Sequence, residues 1–276
     1  MRPPALIAVD LDGTLIGPSL AVDQCDRDAI AQAVARGSTI CLATGRLFGA
    51  ARPFAAELGL RGPMIVLNGA AIYDAASGAR LTATPLAAAT ALLAYDALKA
   101  DGFHLQLYYG DQLYLDELDE RARHYLELSR VEPVMVEDLR RLLTDSPPGD
   151  IGPMKVLAIG APSHVDSFIP RLADALGDAA LVFKSQRNFL EVTDPAATKG
   201  HGLEWLAKSM GLGLDDLAAI GDSDNDVSMF EAAGHSFAVA NSTPAARAAA
   251  QRVVAAQDKC GVAEALQLLA NGQAVG

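Results

Sequence analysis

The segment Leu6-Ile7-Ala8-Val9-Asp10-Leu11-Asp12-Gly13-Thr14-Leu15 joins an apolar run to two carboxylates one residue apart and a glycine turn. The run suits a buried parallel strand, and packing gives no reason for charge at its end, where burial without a partner is costly. A bound cation or an ordered set of donors would offset that cost. Near the other end, Ala218-Ala219-Ile220 leads to Gly221-Asp222-Ser223-Asp224-Asn225-Asp226, a second apolar run that delivers carboxylates. Helix capping explains Asp224 but not all four Asp and Asn residues. An oxygen-rich set without histidine or thiolate favours magnesium. Between these segments lie two weaker signals. Thr44-Gly45-Arg46 follows a strand-like run and precedes a helix, a ready anion site, although Thr44 alone reads as a plain helix cap. Thr198-Lys199-Gly200 opens a helix. Alone, Lys199 is a solvated charge, but a phosphate held by the other three loops would want a cation.

Strands and helices must deliver these groups to one place. The pattern predicts strands Leu6–Asp10, Thr39–Ala43, Met64–Leu67, Leu217–Gly221 and Ser236–Ala240, with a short one at Val253–Ala255. Helices are predicted at Asp26–Arg36, Arg46–Leu58, His201–Met210, Val227–Ala233 and Pro244–Gln251. Such alternation implies an α/β fold, a Rossmann-like parallel sheet with helices on both faces, and ligands in such sheets sit beyond the carboxyl ends of strands. The middle differs. His104–Tyr109 and Gln112–Asp116 flank Gly110-Asp111, a link suited to an antiparallel hairpin. Helices Leu118–Ser129, Val136–Leu143 and Val165–Leu176 and strands Met154–Gly160 and Ala180–Lys184 follow. Residues 81–187 are thus expected to form an inserted α/β cap domain within a discontinuous core of residues 1–80 and 188–276.

With 276 residues, 51% of them hydrophobic, the chain can bury one large core or two moderate ones. Its formal charge of −12 argues against nucleic acid and anionic membranes as partners. The three cysteines, Cys25, Cys41 and Cys260, are odd in number, widely spaced and without a C-x-x-C pair. This argues against a disulfide framework or a thiolate zinc site, and Cys260 reads as a buried small hydrophobe. Met1-Arg2-Pro3-Pro4 leads into a short apolar run cut by Asp10, a poor signal peptide or membrane span. A reduced, cytoplasmic setting is expected.

The order Asp10-x-Asp12-Gly-Thr-Leu, Thr44-Gly-Arg, Lys199 and Gly221-Asp222-x-x-Asn225-Asp226 resembles the haloacid dehalogenase (HAD) superfamily. More narrowly it is similar to the Cof-type phosphatases, with a large cap between the second and third motifs. Asn68-Gly69-Ala70, Phe189-Leu190-Glu191-Val192 and Gly261-Val262-Ala263 also match that group. Gln257-Asp258-Lys259-Cys260 departs from the acidic run usual before Gly-Val-Ala, and Ala240-Asn241-Ser242 replaces a more usual Gly-Asn-Ala.

The resemblance implies a phosphatase acting on a small phosphorylated metabolite, a sugar phosphate or related phosphomonoester. Asp10 would be the nucleophile, forming an aspartyl-phosphate, and Asp12 the general acid and base. Mg2+ would be held by the Asp10 carboxylate, the Asp12 carbonyl and Asp222. Thr44, Lys199, Asn225 and the amides of Leu11 and Gly45 would bind phosphate. Asp226 would position Lys199 or a metal-bound water. Cap contacts to the substrate are expected among Tyr108, Tyr109, Tyr114, Lys155, Lys184 and above all Arg187. Two other readings stay open: a phosphomutase of the phosphomannomutase-like kind and a non-catalytic phosphometabolite-binding protein. The chain is expected to be a monomer or homodimer.

Overall fold

The computed structural model describes residues 3–145, 147–148 and 151–273, so Met1 and Arg2 of the opening segment lie outside it. The chain divides into two compact units. One is built from the residues up to Gly45, from Ala51–Thr82 and from Thr198 onward; the other comprises Arg46–Ala50 and Ala83–Ala197.

The first unit opens with β1 (Leu6–Asp10), α1 (Gln24–Ala35), β2 (Thr39–Ala43), all of α2 (Phe48–Glu57) beyond Ala50, and β3 (Pro63–Val66). Every residue of β1 is buried, as a central strand covered on both faces requires. β4 (Ala71–Asp74) and β5 (Arg80–Ala83) then extend the sheet, β4 running antiparallel to β3. Neither was expected from the sequence, because both are short and sit beside turn residues.

The second unit carries α3 (Ala88–Ala100), β6 (His104–Tyr109), β7 (Gln112–Leu115), α4 (Glu120–Ser129), β8 (Val134–Met135) and α5 (Leu139–Thr144). These are followed by β9 (Pro153–Ile159), α6 (Pro162–Leu176), β10 (Leu181–Gln186) and β11 (Phe189–Thr193). Its sheet runs β10-β11-β9-β6-β7-β8. The alternation of strands sorts the side chains by face. Leu105, Leu107, Val156, Ala158, Leu190 and Val192 pack with Ala91, Ala94, Leu98, Val165, Phe168 and Leu172 of α3 and α6. Gln106, Tyr108, Lys155, Glu191 and Thr193 occupy the alternate positions, and all are buried. The structure departs from the expected cap boundary at residue 187. Phe189–Thr193 pairs antiparallel with both β9 and β10, so it is a strand of this sheet rather than part of the core.

The first unit resumes with α7 (Lys199–Met210), β12 (Leu217–Gly221), α8 (Val227–Glu231), β13 (His235–Val239), α9 (Pro244–Ala249), β14 (Arg252–Val254) and α10 (Gly261–Ala270). Its sheet order is β14-β13-β12-β1-β2-β3-β4-β5. The chain leaves β1 towards β2 and later returns on the other side as β12, so β1 and β12 flank a topological switch point. β1 pairs parallel with β12 through Val9↔Ile220 and with β2 through Asp10↔Ala43. Register therefore sets Asp10, Gly221-Asp222 and Thr44 at one edge, where open α/β sheets bind ligands. Among the described residues no helix is long and apolar enough to cross a membrane.

The cysteine expectation is corrected. Cys25 at the start of α1 and Cys260 just before α10 form a disulfide across 235 residues of chain, and Cys260 is therefore not a buried hydrophobe. Spacing could not reveal the pair, because packing of α1 on α10 brings the two together. Closing so long a loop in the unfolded chain stabilises the fold by up to about 5 kcal/mol on the chain-entropy account. Cys41 stays a buried thiol, pushed up to about 12 by burial.

Candidate active site

Asp10 ends β1 and is almost fully buried. Its Oδ1 accepts a hydrogen bond from Lys199 Nζ at 2.5 Å, and the same ammonium donates to Asp226 Oδ1 at 2.6 Å. Lys199 is the first residue of α7, whose start is fixed by the Thr198 hydroxyl accepting the His201 amide. The helix is also tied to α8 through Gly200 N–H donating to Ser228 Oγ. Two carboxylates thus converge on a lysine that is 1% exposed.

Asp222 follows β12 and is held from two sides. Thr14 Oγ1 donates to its Oδ1 at 2.9 Å and Ser223 Oγ to its Oδ2 at 3.0 Å. Gly13 makes this approach possible. Its φ is +87°, and a Cβ there would lie 2.5 Å from Asp222 Oδ2. Asp226 accepts the amides of Asp222 and Ser223 on Oδ2 while Oδ1 holds Lys199. Its position in the sequence therefore serves the fold of the loop and the lysine together.

Burial is the largest influence on Asp10 and pushes its carboxyl well up; Lys199 works against this, and Asp226 and Asp222 add to it. Burial and Asp226 likewise raise Asp222, while the Thr14 and Ser223 hydroxyls pull it back. Burial alone would lower Lys199, but Asp10 and Asp226 more than reverse this and keep it charged. One ammonium pairs with Asp10 and Asp226 while Asp222 lies alongside, and the upward shifts of Asp10 and Asp222 are those of carboxylates that outnumber the cation beside them.

The residues fit a small hard cation. Asp10, Asp222 and Asp226 offer carboxylate oxygens within 4.8 Å of one another. Asp10 Oδ2 is buried without a hydrogen-bond partner among the described residues. Both oxygens of Asp226 are engaged by Lys199 and two amides, and those of Asp222 accept the Thr14 and Ser223 hydroxyls, so Asp10 Oδ2 is the open oxygen of the three carboxylates. An oxygen-only donor set of this kind suits Mg2+, which keeps several waters.

The remaining expected residues divide. Asp12 is exposed two residues beyond Asp10, and its side chain lies outside the group of three converging carboxylates. Thr44 is buried after β2, its N–H donating to Ile65 and its carbonyl accepting the Asn68 amide. α2 begins only at Phe48, so Thr44 does not cap it. Leu11 and Gly45 directly follow Asp10 and Thr44. Asn225 donates from Nδ2 to Asn68 Oδ1 at 2.9 Å, which engages it with a side chain rather than leaving both ends for phosphate. Asn68 was missed as a site residue, although an asparagine-glycine pair after a strand is the local signal for its left-handed backbone, φ 57°. Thr14 was missed too, because a hydroxyl in a turn carries no signal of its own.

The cap residues are mostly engaged within their own unit. Tyr109 donates to the Leu142 carbonyl and stacks edge-on with Tyr114. Lys155 pairs with Glu191 at 2.9 Å, and Lys184 with Asp166 at 2.5 Å. Tyr108 donates from its hydroxyl to Tyr125 at 2.5 Å. Arg187 was expected where the chain returns to the core. It lies instead exposed in the turn between β10 and β11, with β11 still to follow.

Residues 7–266 match the model of the haloacid dehalogenase-like hydrolases. The chain is 29% identical to the 5-amino-6-(5-phospho-D-ribitylamino)uracil phosphatase YwtE of Bacillus subtilis, covering 97% of this chain and 98% of that protein. It is 27% identical to the pyridoxal phosphate phosphatase YbhA of Escherichia coli, covering 90% and 92%. A crystal structure of a Thermotoga maritima protein superposes with a TM-score of 0.83 at 27% identity, covering 97% of both chains. A haloacid dehalogenase-like hydrolase from Bacteroides thetaiotaomicron gives 0.84 at 26%, covering 96% and 98%. With nearly its whole length matched and four motif segments gathered at the edge of one sheet, this chain belongs to the haloacid dehalogenase-like hydrolase family.

Proposed function

We propose that this protein is a magnesium-dependent phosphatase that hydrolyses a small phosphorylated metabolite through an aspartyl-phosphate on Asp10. The observation that carries this reading is the buried Lys199 ammonium bridging Asp10 and Asp226 beside Asp222. A cation so placed is positioned to hold a phosphate oxygen while Asp10 approaches phosphorus. The Asp10 carboxylate displaces the ester oxygen, and Asp12 gives that leaving oxygen a proton. Asp12 then takes a proton from a water that attacks phosphorus, which releases inorganic phosphate and restores Asp10. Thr44 and the amides of Leu11 and Gly45 serve as further donors to phosphate. Asn225 acts through its hydrogen bond to Asn68, and Asp226 keeps Lys199 in place. Bound at Asp10, Asp222 and the Asp12 carbonyl, Mg2+ would screen the repulsion between carboxylate and phosphate.

The substrate class is a phosphomonoester on a sugar, a polyol or a small heterocycle. This is supported by relatives named as phosphatases of a phosphoribitylamino-uracil and of pyridoxal phosphate. The test is phosphate release from a panel of such esters with Mg2+ and with a chelator. Turnover that needs Mg2+ and vanishes in Asp10→Asn is expected. An inert wild-type enzyme with Mg2+ present, or an active Asp10→Asn variant, overturns the assignment. Isomerised sugar phosphate in place of free phosphate would indicate a mutase.

A further inference from the structure

The turn that departs from the family pattern, Gln257-Asp258-Lys259-Cys260, lies against the loop that carries Asp12. Asn241 Nδ2 donates to the Gly13 carbonyl at 2.8 Å, and Asn241 Oδ1 accepts the Gln257 amide at 2.8 Å. A side chain at Gly17 would collide with Gln257 Oε1, so the turn also seals the far side of the loop. Cys260 closes this turn in a left-handed conformation, φ 63°, and is bonded to Cys25.

The chemistry of the bond is unusual in one respect. Cys25 is the second residue of α1 and Cys260 immediately precedes α10, so both sulfurs sit at helix N-termini. Helix N-termini stabilise thiolates, and stabilised thiolates leave faster and make a disulfide easier to reduce. Both cysteines are half-buried and line an open groove with Asp28, Lys259, Glu264 and Gln267.

We propose that Cys25–Cys260 is a reversible redox site, reduced by a dithiol, whose oxidised form holds the Asp12–Gly17 loop in its working conformation. A thiolate of the dithiol attacks one protein sulfur, breaking the S–S bond and forming a mixed disulfide. Its second thiol then displaces that protein sulfur as a thiolate. The protein gains two electrons and two protons, and the dithiol leaves as its own disulfide. Reduction frees Cys260 to leave its left-handed conformation and loosens the Gln257–Asn241–Gly13 connection. The effect on turnover rests on the assignment of Asp10 and Asp12 to catalysis; the effect on the loop does not.

The test compares air-oxidised protein with protein reduced by dithiothreitol under native conditions. On unfolding, the oxidised form should show one thiol, Cys41, and the reduced form three. Amide exchange at Gly13–Gly17 should quicken on reduction and kcat/KM should fall about fivefold or more, both recovering on reoxidation. Cys25→Ser should behave as the reduced protein with or without dithiothreitol. If that variant does not fold, the reduced wild type supplies the same comparison. Three thiols in the air-oxidised protein, or equal loop exchange in both states, overturns the proposal. Failure of the phosphatase reading alone would appear as inactivity in both states with the exchange difference intact.

Discussion

Each unit buries a lysine against carboxylate on a sheet, and the two sites are built to opposite ends. In the second unit Lys155 meets Glu191 one to one, with the Tyr108 ring 4.6 Å from its ammonium. The Tyr108 hydroxyl is itself bound to Tyr125. Charge there is balanced. In the first unit Lys199 meets Asp10 and Asp226 with Asp222 alongside, and Asp10 Oδ2 has no hydrogen-bond partner among the described residues. Charge there is left in excess. A balanced pair completes a fold, whereas an unbalanced one stores affinity for a cation and an anionic substrate. Burial alone does not distinguish them, since both lysines are almost fully enclosed.

The largest test of this contrast is loss of chemistry. Asp10→Asn should lower phosphate release by about 10⁴-fold or more, and Lys199→Met by about 10³-fold, in steady-state assays with Mg2+. Lys155→Met should act on stability instead. Leaving Glu191 buried and unpaired should cost about 3–5 kcal/mol in urea unfolding. The double variant Lys155→Met/Glu191→Leu should recover to within about 2 kcal/mol of wild type. Equal losses of stability in single and double variants would remove the idea of a balanced pair.

Asp26 is a third buried acid. Its Oδ1 accepts the Ala263 amide at 2.7 Å, and Oδ2 has no hydrogen-bond partner among the described residues. Burial raises it from 3.8 to about 6, with the Ala263 amide opposing and Asp23 adding. The folded protein therefore favours the neutral acid more than the unfolded chain does. The penalty is full above about pH 6 and disappears as pH falls towards 3.8, a gain of about 3 kcal/mol at most. Asp26→Asn should flatten this part of the stability–pH curve measured by urea titration. The smallest effect is metal linkage. Mg2+ at tenfold its dissociation constant should stabilise the wild type by about 1.4 kcal/mol. Asp222→Asn should abolish that shift in thermal unfolding, and Lys155→Met should leave it.

Much of the site was legible because its signals are local. Leu6–Asp10 and Leu217–Gly221 read as buried strands ending in carboxylates, and the structure has strands over those same residues. The two-residue Gly110-Asp111 link pointed to β6 at His104–Tyr109 for the same reason, since a tight turn and its flanking strands are neighbours along the chain. Where apolar residues surround a segment, the period fades. Ala88–Ala100 and Gly261–Ala270 are helices that were not expected, the first being almost wholly alanine and other apolar residues. Phe189–Val192 was recognised as a motif but set in the core, because sequence pattern does not say which sheet a buried strand joins.

The sequence by itself determined which groups stand at strand ends, since an apolar run, a turn and the residues after it are neighbours along the chain. Only the tertiary structure decided their partners. Lys199 reaches Asp10 across 189 residues, Asn225 reaches Asn68 across 157, and Cys25 joins Cys260 across 235. Such pairings depend on strand order and on helices packed over the sheet, and no local spacing encodes either.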